Sequence, residues 1–429
     1  MLQRLFVLIL VVAVPLTAAA APSQVRIVQR DGAYVMLVDG QPFRVNGAGM
    51  SSGGQEALAA RGGNSFRTWS TGTDHAEVRA MLDRAQRNGL KVAMGIEVGN
   101  ERHGFDYNDR EAVKKQRERI RREVALYKDH PAVLMWVVGN ELNLHYSNPK
   151  VWDAVGGITD TIHQEDPNHP VMTTLAGFDR KLIDLLKTRA PSLDLIGIQL
   201  YGDIGALPEK LESSGWTGPY VVTEWGPTGH WESPLTAWKA PIEDDASRKA
   251  ILLQQRYEQV IAADRKQGLG SYVFLWGNKQ ERTPTWYGLF LPSGESTPAV
   301  DAMQYVWTGA WPTNRAPSIR PLTLDGRVAI DSITLAAGKP YTANVESSDP
   351  EGDPLRYRWT VLHESSATSI GGDREDVPPD VALAMEEDGS GGLRFTAPSA
   401  AGMYRLFVEV HDGHGHAAYA NLPFRVEAR

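Results

Sequence analysis

Short apolar stretches alternate with longer amphipathic segments through the first three quarters of the chain. The stretches "AVLMWVVG" from Ala132 and "PYVVTEWG" from Pro219 are nearly continuous in apolar residues, as expected of strands buried on both faces. The segments between them carry helical spacing and stop signals; one begins at Asp74 with Glu77 in the position of a capping box and ends at Asn88-Gly89. From the strand near Phe43 onward, the pattern predicts eight strands separated by helices.

Eight β-α units over roughly 290 residues are typical of a closed parallel (β/α)₈ TIM barrel. An open doubly wound sheet is the alternative. That fold would favour a glycine-rich phosphate turn after its first strand, and the stretch "VNGAGMSSGG" does not match GxGxxG in register. The pattern therefore favours the barrel, with a β-hairpin before it at the Asp31-Gly32 and Asp39-Gly40 pairs.

Near Trp311 the pattern changes to short alternating strands without helical spacing. "WPTNRAPSIRPL" is a proline-containing linker, and "RYRWTVL" and "MYRLFVEVHDG" alternate as strands of a sandwich do. The predicted organisation is an α/β chain with an (β/α)₈ domain over 22–310, a linker over 311–318 and an Ig-like β-sandwich over 319–429.

The first 21 residues have the features of a secretory signal peptide. Arg4 precedes the apolar run Leu5 to Val14, and small residues follow up to Ala21. An uncleaved anchor helix is the alternative, although the run is short for a bilayer span. The chain has no cysteine, which excludes disulfides, thiolate metal sites and a cysteine nucleophile. We expect a secreted or periplasmic protein without a membrane span after signal removal.

The charge of the chain argues against nucleic acid as a partner. The formal net charge is −8, from 44 Lys and Arg against 52 Asp and Glu. The one basic run, which begins at Val113, lies within a helical pattern interspersed with glutamates, as a solvated helix face does.

Polar residues stand at the carboxyl ends of the predicted strands, where the active sites of such barrels lie. Glu141 ends the fourth strand and Glu224 ends the seventh, three β-α units later. The other residues predicted at this end are Arg67, Trp69, Glu97, Asn140, Tyr201, Trp225 and Trp276.

Two facing carboxylates with aromatic neighbours are suited to cleaving a glycosidic bond. One carboxylic acid protonates the leaving oxygen, and the other carboxylate attacks the anomeric carbon or activates water. Direct attack gives a retaining enzyme and activation of water gives an inverting one, and the distance between the two carboxyl groups distinguishes them. No metal or other cofactor is required, and His103, Asp106 and His145 lack the spacing of a metal site.

These residues carry a resemblance to a known clan. "KDHPAVLMWVVGNELN" and "TEWG" resemble the retaining β-glycosidases of clan A, closest to the catalytic domain of the family two hydrolases, and are also similar to β-1,3-glucanosyl transferases. The resemblance implies that Glu141 is the acid/base and Glu224 the nucleophile. It also implies that Asn140 binds the sugar 2-hydroxyl, Tyr201 bonds to the nucleophile, Arg67 lies beneath Glu224 and Trp276 floors the first subsite.

The chain departs from family two in lacking the sandwich domains that precede the barrel there. Its C-terminal domain instead resembles PKD- or cadherin-like modules, through "SSDPEGDPLRYRWTV" and "YRLFVEVHDGHG". Asp349, Glu351 and Asp353 offer oxygen ligands for Ca²⁺, although an acidic turn without metal fits the sequence as well.

The sequence therefore predicts an exported retaining β-glycoside hydrolase, with transglycosylation open, that acts on a β-linked glucan or related polysaccharide. A non-catalytic glycan-binding or surface-assembly protein built on the same barrel is the rival. That rival predicts glycan binding without product release.

Overall fold

The structure is a computed structural model that describes residues 21–50 and 54–428. The predicted signal peptide, residues 1–21, lies outside the described residues except for Ala21. No helix in the described ranges has both the length and the apolar character that crossing a bilayer requires.

Three short antiparallel strands form the N-terminal hairpin sheet: β1 (Val25–Arg30), β2 (Ala33–Val38) and β3 (Gln41–Phe43). Both predicted Asp-Gly turns have positive φ at each residue, between 52° and 80°, as type I′ turns require. Val25, Met36 and Val38 pack against Leu134 and Leu195 at the amino-terminal ends of barrel strands. The hairpin therefore covers the end of the barrel opposite the predicted site.

Eight parallel strands close into the predicted barrel, which confirms the fold class. In chain order they are β4 (Val45–Gly49), β5 (Ser65–Arg67), β6 (Lys91–Ile96), β7 (Val133–Val138), β8 (Val171–Ala176), β9 (Leu195–Gln199), β10 (Tyr220–Trp225) and β11 (Gly268–Val273). Every residue of β7 and of β10 is buried, which explains their continuous apolar sequences.

Helices surround the barrel between and after these strands. They are α1 (Gln55–Ala60), α2 (His75–Arg87), α3 (Arg110–Tyr127), α4 (Lys150–Glu165), α5 (Arg180–Arg189), α6 (Leu207–Ser214), α7 (Ala246–Arg256) and α8 (Pro298–Thr308). The side chain of Asp74 accepts from the backbone N–H groups of Ala76 and Glu77 and so caps α2 where the sequence predicted its start.

A β-sandwich follows the barrel. Its strands are β12 (Ser318–Ile319), β13 (Thr323–Leu324), β14 (Thr334–Ala336), β15 (Pro340–Asn344), β16 (Ser347–Ser348), β17 (Arg356–His363), β18 (Met385–Glu387), β19 (Gly392–Thr396), β20 (Gly402–His411) and β21 (Ala417–Glu427). The order β13-β15-β19-β18 forms one sheet and β14-β21-β20-β17 the other, with Leu393, Phe395, Leu406 and Phe424 in the core between them.

A buried ionic network joins the barrel to the sandwich. The ammonium of Lys249 on α7 donates to Glu243 Oε1 at 2.5 Å and to the hydroxyl of Tyr419 on β21 at 3.1 Å. Asn421 Nδ2 donates to the other Glu243 oxygen at 2.6 Å. Burial alone would raise the pKa of Glu243, but the adjacent ammonium and hydrogen bonds outweigh it and hold that pKa below its ordinary value. These buried groups satisfy one another's charge and hydrogen bonds, and in doing so they hold the two domains together.

Replacing Lys249 with Met should lower the free energy of unfolding by roughly 3–5 kcal/mol, because Glu243 would stay buried without its cation. Urea denaturation measures this change. Lys339→Met, at an exposed turn of the sandwich, is the matched control and should change the free energy by less than about 0.5 kcal/mol. Equal stability of the two variants would contradict the role given to the network.

Candidate active site

A cavity of about 870 Å³ opens at the carboxyl end of the barrel. Side chains that follow or end four different strands meet in it: Trp69 after β5, Asn140 and Glu141 after β7, Gln199 on β9 and Glu224 on β10. The structure therefore brings the two predicted carboxylates to one cavity.

Three donors hold the carboxylate of Glu224, which is 5% exposed. Trp69 Nε1 and Arg67 Nη1 donate to Oε1, at 2.9 and 3.1 Å, and the hydroxyl of Tyr201 donates to Oε2 at 3.0 Å. Donors on both oxygens fix the rotation of the carboxylate. The carboxylate is therefore held in one orientation within the cavity.

Arg67 is fully buried beneath the cavity and joins two functional side chains. Its Nη1 donates to Glu224 and to the carbonyl of Thr223, and its Nη2 donates to Asn140 Oδ1 at 2.7 Å. Burial lowers the pKa of this guanidinium, while the Glu224 and Glu141 carboxylates oppose that effect. The position at the end of β5 places Arg67 where the resemblance predicted it, below Glu224.

The carboxamide of Asn140 is oriented by donors that all meet its oxygen. Besides Arg67, Gln199 Nε2 donates to Oδ1 at 2.9 Å and Thr174 Oγ1 at 3.2 Å. Since a charged guanidinium can only donate, the atom facing it must be the oxygen. The amide nitrogen is left as a donor for a ligand hydroxyl.

Glu141 lies at the turn that ends β7, where Gly139 and Glu141 have φ values of 73° and 50°. Residues other than glycine rarely adopt such positive φ, so the turn is a feature of the site. Burial, and then the nearby charge of Glu224, raise the pKa of Glu141 to about 8. This carboxyl group therefore carries a proton at neutral pH while facing an ordered carboxylate.

Two predicted aromatic residues do not line the cavity. Trp225 is fully buried and packs beside Tyr257, because successive residues of a strand point to opposite sides and its neighbour Glu224 points into the mouth. Trp276 is 3% exposed; its indole N–H donates to the Gly54 carbonyl at 3.1 Å and its ring packs near Phe290. Trp276 is therefore part of the packing behind the cavity and is not among the residues that line it.

Other cavity residues were missed by sequence reasoning. Trp231 is 60% exposed, borders the cavity and meets Tyr201 edge to face with ring centroids 5.5 Å apart. It belongs to the long loop over 226–244, whose length is the one sequence signal for a cavity wall. Gln199 also lines the cavity and is 3% exposed, and its Oε1 has no hydrogen-bond partner among the described residues.

Among the residues that the structure describes, one group of carboxylates has its oxygen atoms close enough together to hold a metal ion. This group lies in the sandwich and not in the cavity. It consists of Asp349, Asp353 and Asp412. The predicted third ligand, Glu351, instead bonds to the backbone N–H and the guanidinium of Arg315. The close group thus includes Asp412, which is distant in sequence from this turn, and does not include Glu351.

Part of the barrel matches a known protein family. Residues 73–227 match the family model described as "Glycosyl hydrolases family 2, TIM barrel domain". The barrel is related to the family two glycoside hydrolases of clan A. No curated protein matches the chain in sequence.

Solved structures show the same fold at low sequence identity. A β-D-glucuronidase of Dictyoglomus thermophilum is 15% identical with a TM-score of 0.51, over 67% of this chain and 54% of that one. Bacteroides uniformis β-glucuronidase 2, covalently bound to cyclophellitol-6-carboxylate aziridine, is 14% identical with a TM-score of 0.51, over 94% and 48%. A putative β-galactosidase of Bacteroides fragilis is 12% identical with a TM-score of 0.50, over 94% and 58%. The chain thus spans about half the length of these structures.

The Glu224→Gln variant should lower the pKa of Glu141 below about 8, because it removes the negative charge that opposes ionisation of Glu141. The pKa should stay above its ordinary value, since burial is the larger cause. Carbon-13 NMR titration of the glutamate carboxyls measures the shift. An unchanged Glu141 pKa would show that the two carboxylates do not interact.

Proposed function

We propose that the protein is an exported retaining β-glycoside hydrolase that acts on a neutral β-linked glucan or a related polysaccharide. The observation that carries the proposal is the difference between the two carboxyl groups of one cavity. Glu224 is held by three donors, whereas Glu141 has a pKa raised to about 8. An ionised nucleophile and a protonated acid are what double displacement requires.

In the first step, the Glu141 carboxyl protonates the glycosidic oxygen as the bond to the leaving group breaks. Glu224 Oε attacks the anomeric carbon and forms a glycosyl ester. In the second step, the Glu141 carboxylate takes a proton from water, the water oxygen attacks the same carbon and Glu224 leaves. Two inversions retain the β configuration. A sugar hydroxyl in place of water gives transglycosylation by the same residues.

The residues around the two carboxylates support this sequence of steps. Arg67, Trp69 and Tyr201 spread the charge of Glu224 while it is a carboxylate. The free amide N–H of Asn140 can donate to the hydroxyl next to the anomeric carbon, a contact that strengthens in the transition state. Trp231 offers an exposed ring at the mouth, and flat aromatic faces suit the C–H faces of sugars.

The charges that line the cavity favour a neutral sugar. Four aspartates and glutamates besides the protonated Glu141 line it, whereas Lys279 is the one lysine or arginine among the described residues that line it. Lys279 Nζ is paired with Glu281 Oε2 at 2.8 Å. A sugar acid would bring another negative charge to this surface, which like charges oppose. The proposed substrate therefore differs from the glucuronides implied by the names of the β-glucuronidases with this fold.

Export is proposed on the sequence of residues 1–21, in which Arg4 precedes a short apolar run and then small residues. A polymeric β-glycan outside the cytoplasm fits a cavity that opens to solvent at the barrel mouth.

Glu141→Gln and Glu224→Gln should each reduce hydrolysis of β-glycans by about 10³-fold or more, because each removes a group required in the transition state. A panel of β-glucans, galactans and mannans measures turnover, and NMR of the first product gives its anomeric form, expected to be β. Glu97→Gln is the matched control, since this strand-end glutamate is exposed outside the cavity, and it should retain activity.

Three results would contradict the proposal. Normal turnover in Glu224→Gln would remove its role as nucleophile. Products of α configuration would establish an inverting enzyme. Glycan binding without product release by the unaltered protein would favour the non-catalytic alternative.

A further inference from the structure

The sandwich contributes a segment to the active-site cavity. The loop between β17 and β18 extends from the sandwich to the barrel mouth, and Ile370, Gly371 and Gly372 line the same cavity as Glu141 and Glu224. A second domain therefore supplies part of the surface that a substrate meets.

Two cations, from the barrel loops that follow β6 and β11, hold this segment. After β6, Arg102 Nη1 donates to the Ile370 carbonyl at 3.2 Å and to Asp373 Oδ2 at 2.8 Å. After β11, Lys279 Nζ donates to the Gly372 carbonyl at 2.8 Å. The segment therefore bridges the loops that follow β6 and β11 at the mouth of the barrel.

The Gly371-Gly372 pair permits this close approach. Both residues have positive φ, 59° and 74°. A Cβ atom would lie 2.6 Å from Leu144 Cδ2 at Gly371 and 2.9 Å from Lys279 Nζ at Gly372. Leu144 follows Glu141 by three residues, so the sandwich loop is seated against the segment that carries the proposed acid.

The base of the loop is also fixed to the barrel. Arg282 donates through Nη2 to the Ser369 carbonyl at 3.0 Å and through its backbone N–H to Glu375 Oε2 at 2.6 Å. Ser369 Oγ donates to the other Glu375 oxygen at 2.5 Å. The loop is therefore a fixed wall, and Ile370, which is 42% exposed, presents an apolar side chain at the cavity edge.

We propose that residues 369–373 of the sandwich form a specificity-determining wall of the sugar-binding cavity. Ile370 contacts sugar rings beyond the ring that is cleaved, and the wall limits how many rings extend past the loops that follow β6 and β11. The inference rests on the proposed glycosidase function and adds a role for the second domain.

The first test is the dependence of kcat/KM on substrate length, with β-linked gluco-oligosaccharides of two to six rings. Ile370→Trp enlarges the wall and should lower kcat/KM for the longest substrates by about tenfold, with a smaller change for the shortest. Ile370→Ala should shift the preference toward longer substrates. Val377→Trp is the matched control, because Val377 is 61% exposed on the same loop but does not line the cavity.

The second test does not depend on turnover and uses the absence of cysteine from the chain. I370C and V377C, each combined with Glu141→Gln, supply a single thiol for reaction with a maleimide. The six-ring oligosaccharide should slow labelling at position 370 several-fold and leave labelling at position 377 unchanged. Thermal denaturation checks that each variant is folded.

The outcomes separate this inference from the proposed function. An Ile370→Trp length profile equal to that of the unaltered protein, or unprotected labelling at position 370, overturns the wall while leaving Glu141 and Glu224 in their roles. If Glu141→Gln and Glu224→Gln both retain full hydrolysis, the proposed function is overturned. If the unaltered protein cleaves none of the oligosaccharides, the labelling result alone decides the inference.

Discussion

Arg67 lies fully buried under the cavity, and its guanidinium donates both to Glu224 and to Asn140. A cation without access to water is stabilised only by partners that remain close and correctly oriented. The requirement acts in both directions, because the same contacts fix the carboxylate of Glu224 and orient the carboxamide of Asn140. The barrel supplies the three residues from β5, β7 and β10, so the closed sheet itself sets their spacing.

The contrast between the surroundings of Glu141 and those of Glu224 follows from this arrangement. Glu224 has a guanidinium and two neutral donors, whereas Glu141 stands at a strained turn with the charge of Glu224 as a neighbour. Two carboxyl groups of the same kind thus receive different tasks from their surroundings. No separate device is required to keep the acid protonated at neutral pH.

The second domain is fixed to the barrel and borders the same cavity. The buried contacts of Lys249 with Glu243 and Tyr419 lock the sandwich onto the barrel. From that fixed base, the loop around Ile370 reaches the cavity. A sandwich that follows the barrel thus contributes residues to the lining of the cavity.

The barrel was predictable from the sequence because each parallel strand is buried on both faces and so has a continuous apolar sequence. The positions of Arg67, Asn140 and Glu224 followed from where those strands end. Trp225 and Trp276 were misplaced because a strand end specifies a location but not the direction of a bulky side chain. Ile370 could not be found, since its place in the cavity depends on how two domains dock, which no local pattern encodes.

The most direct measurement is covalent trapping with a 2-deoxy-2-fluoro β-glucoside that carries a good leaving group, followed by mass spectrometry of peptides. The fluorine slows both steps, and the leaving group restores the first, so a glycosyl ester accumulates. If Glu224 is the nucleophile, one fluorosugar per chain becomes attached to Glu224, with loss of activity in proportion. An adduct on Glu141, or rapid turnover of natural β-glycan without any adduct, would contradict the assignment of the nucleophile.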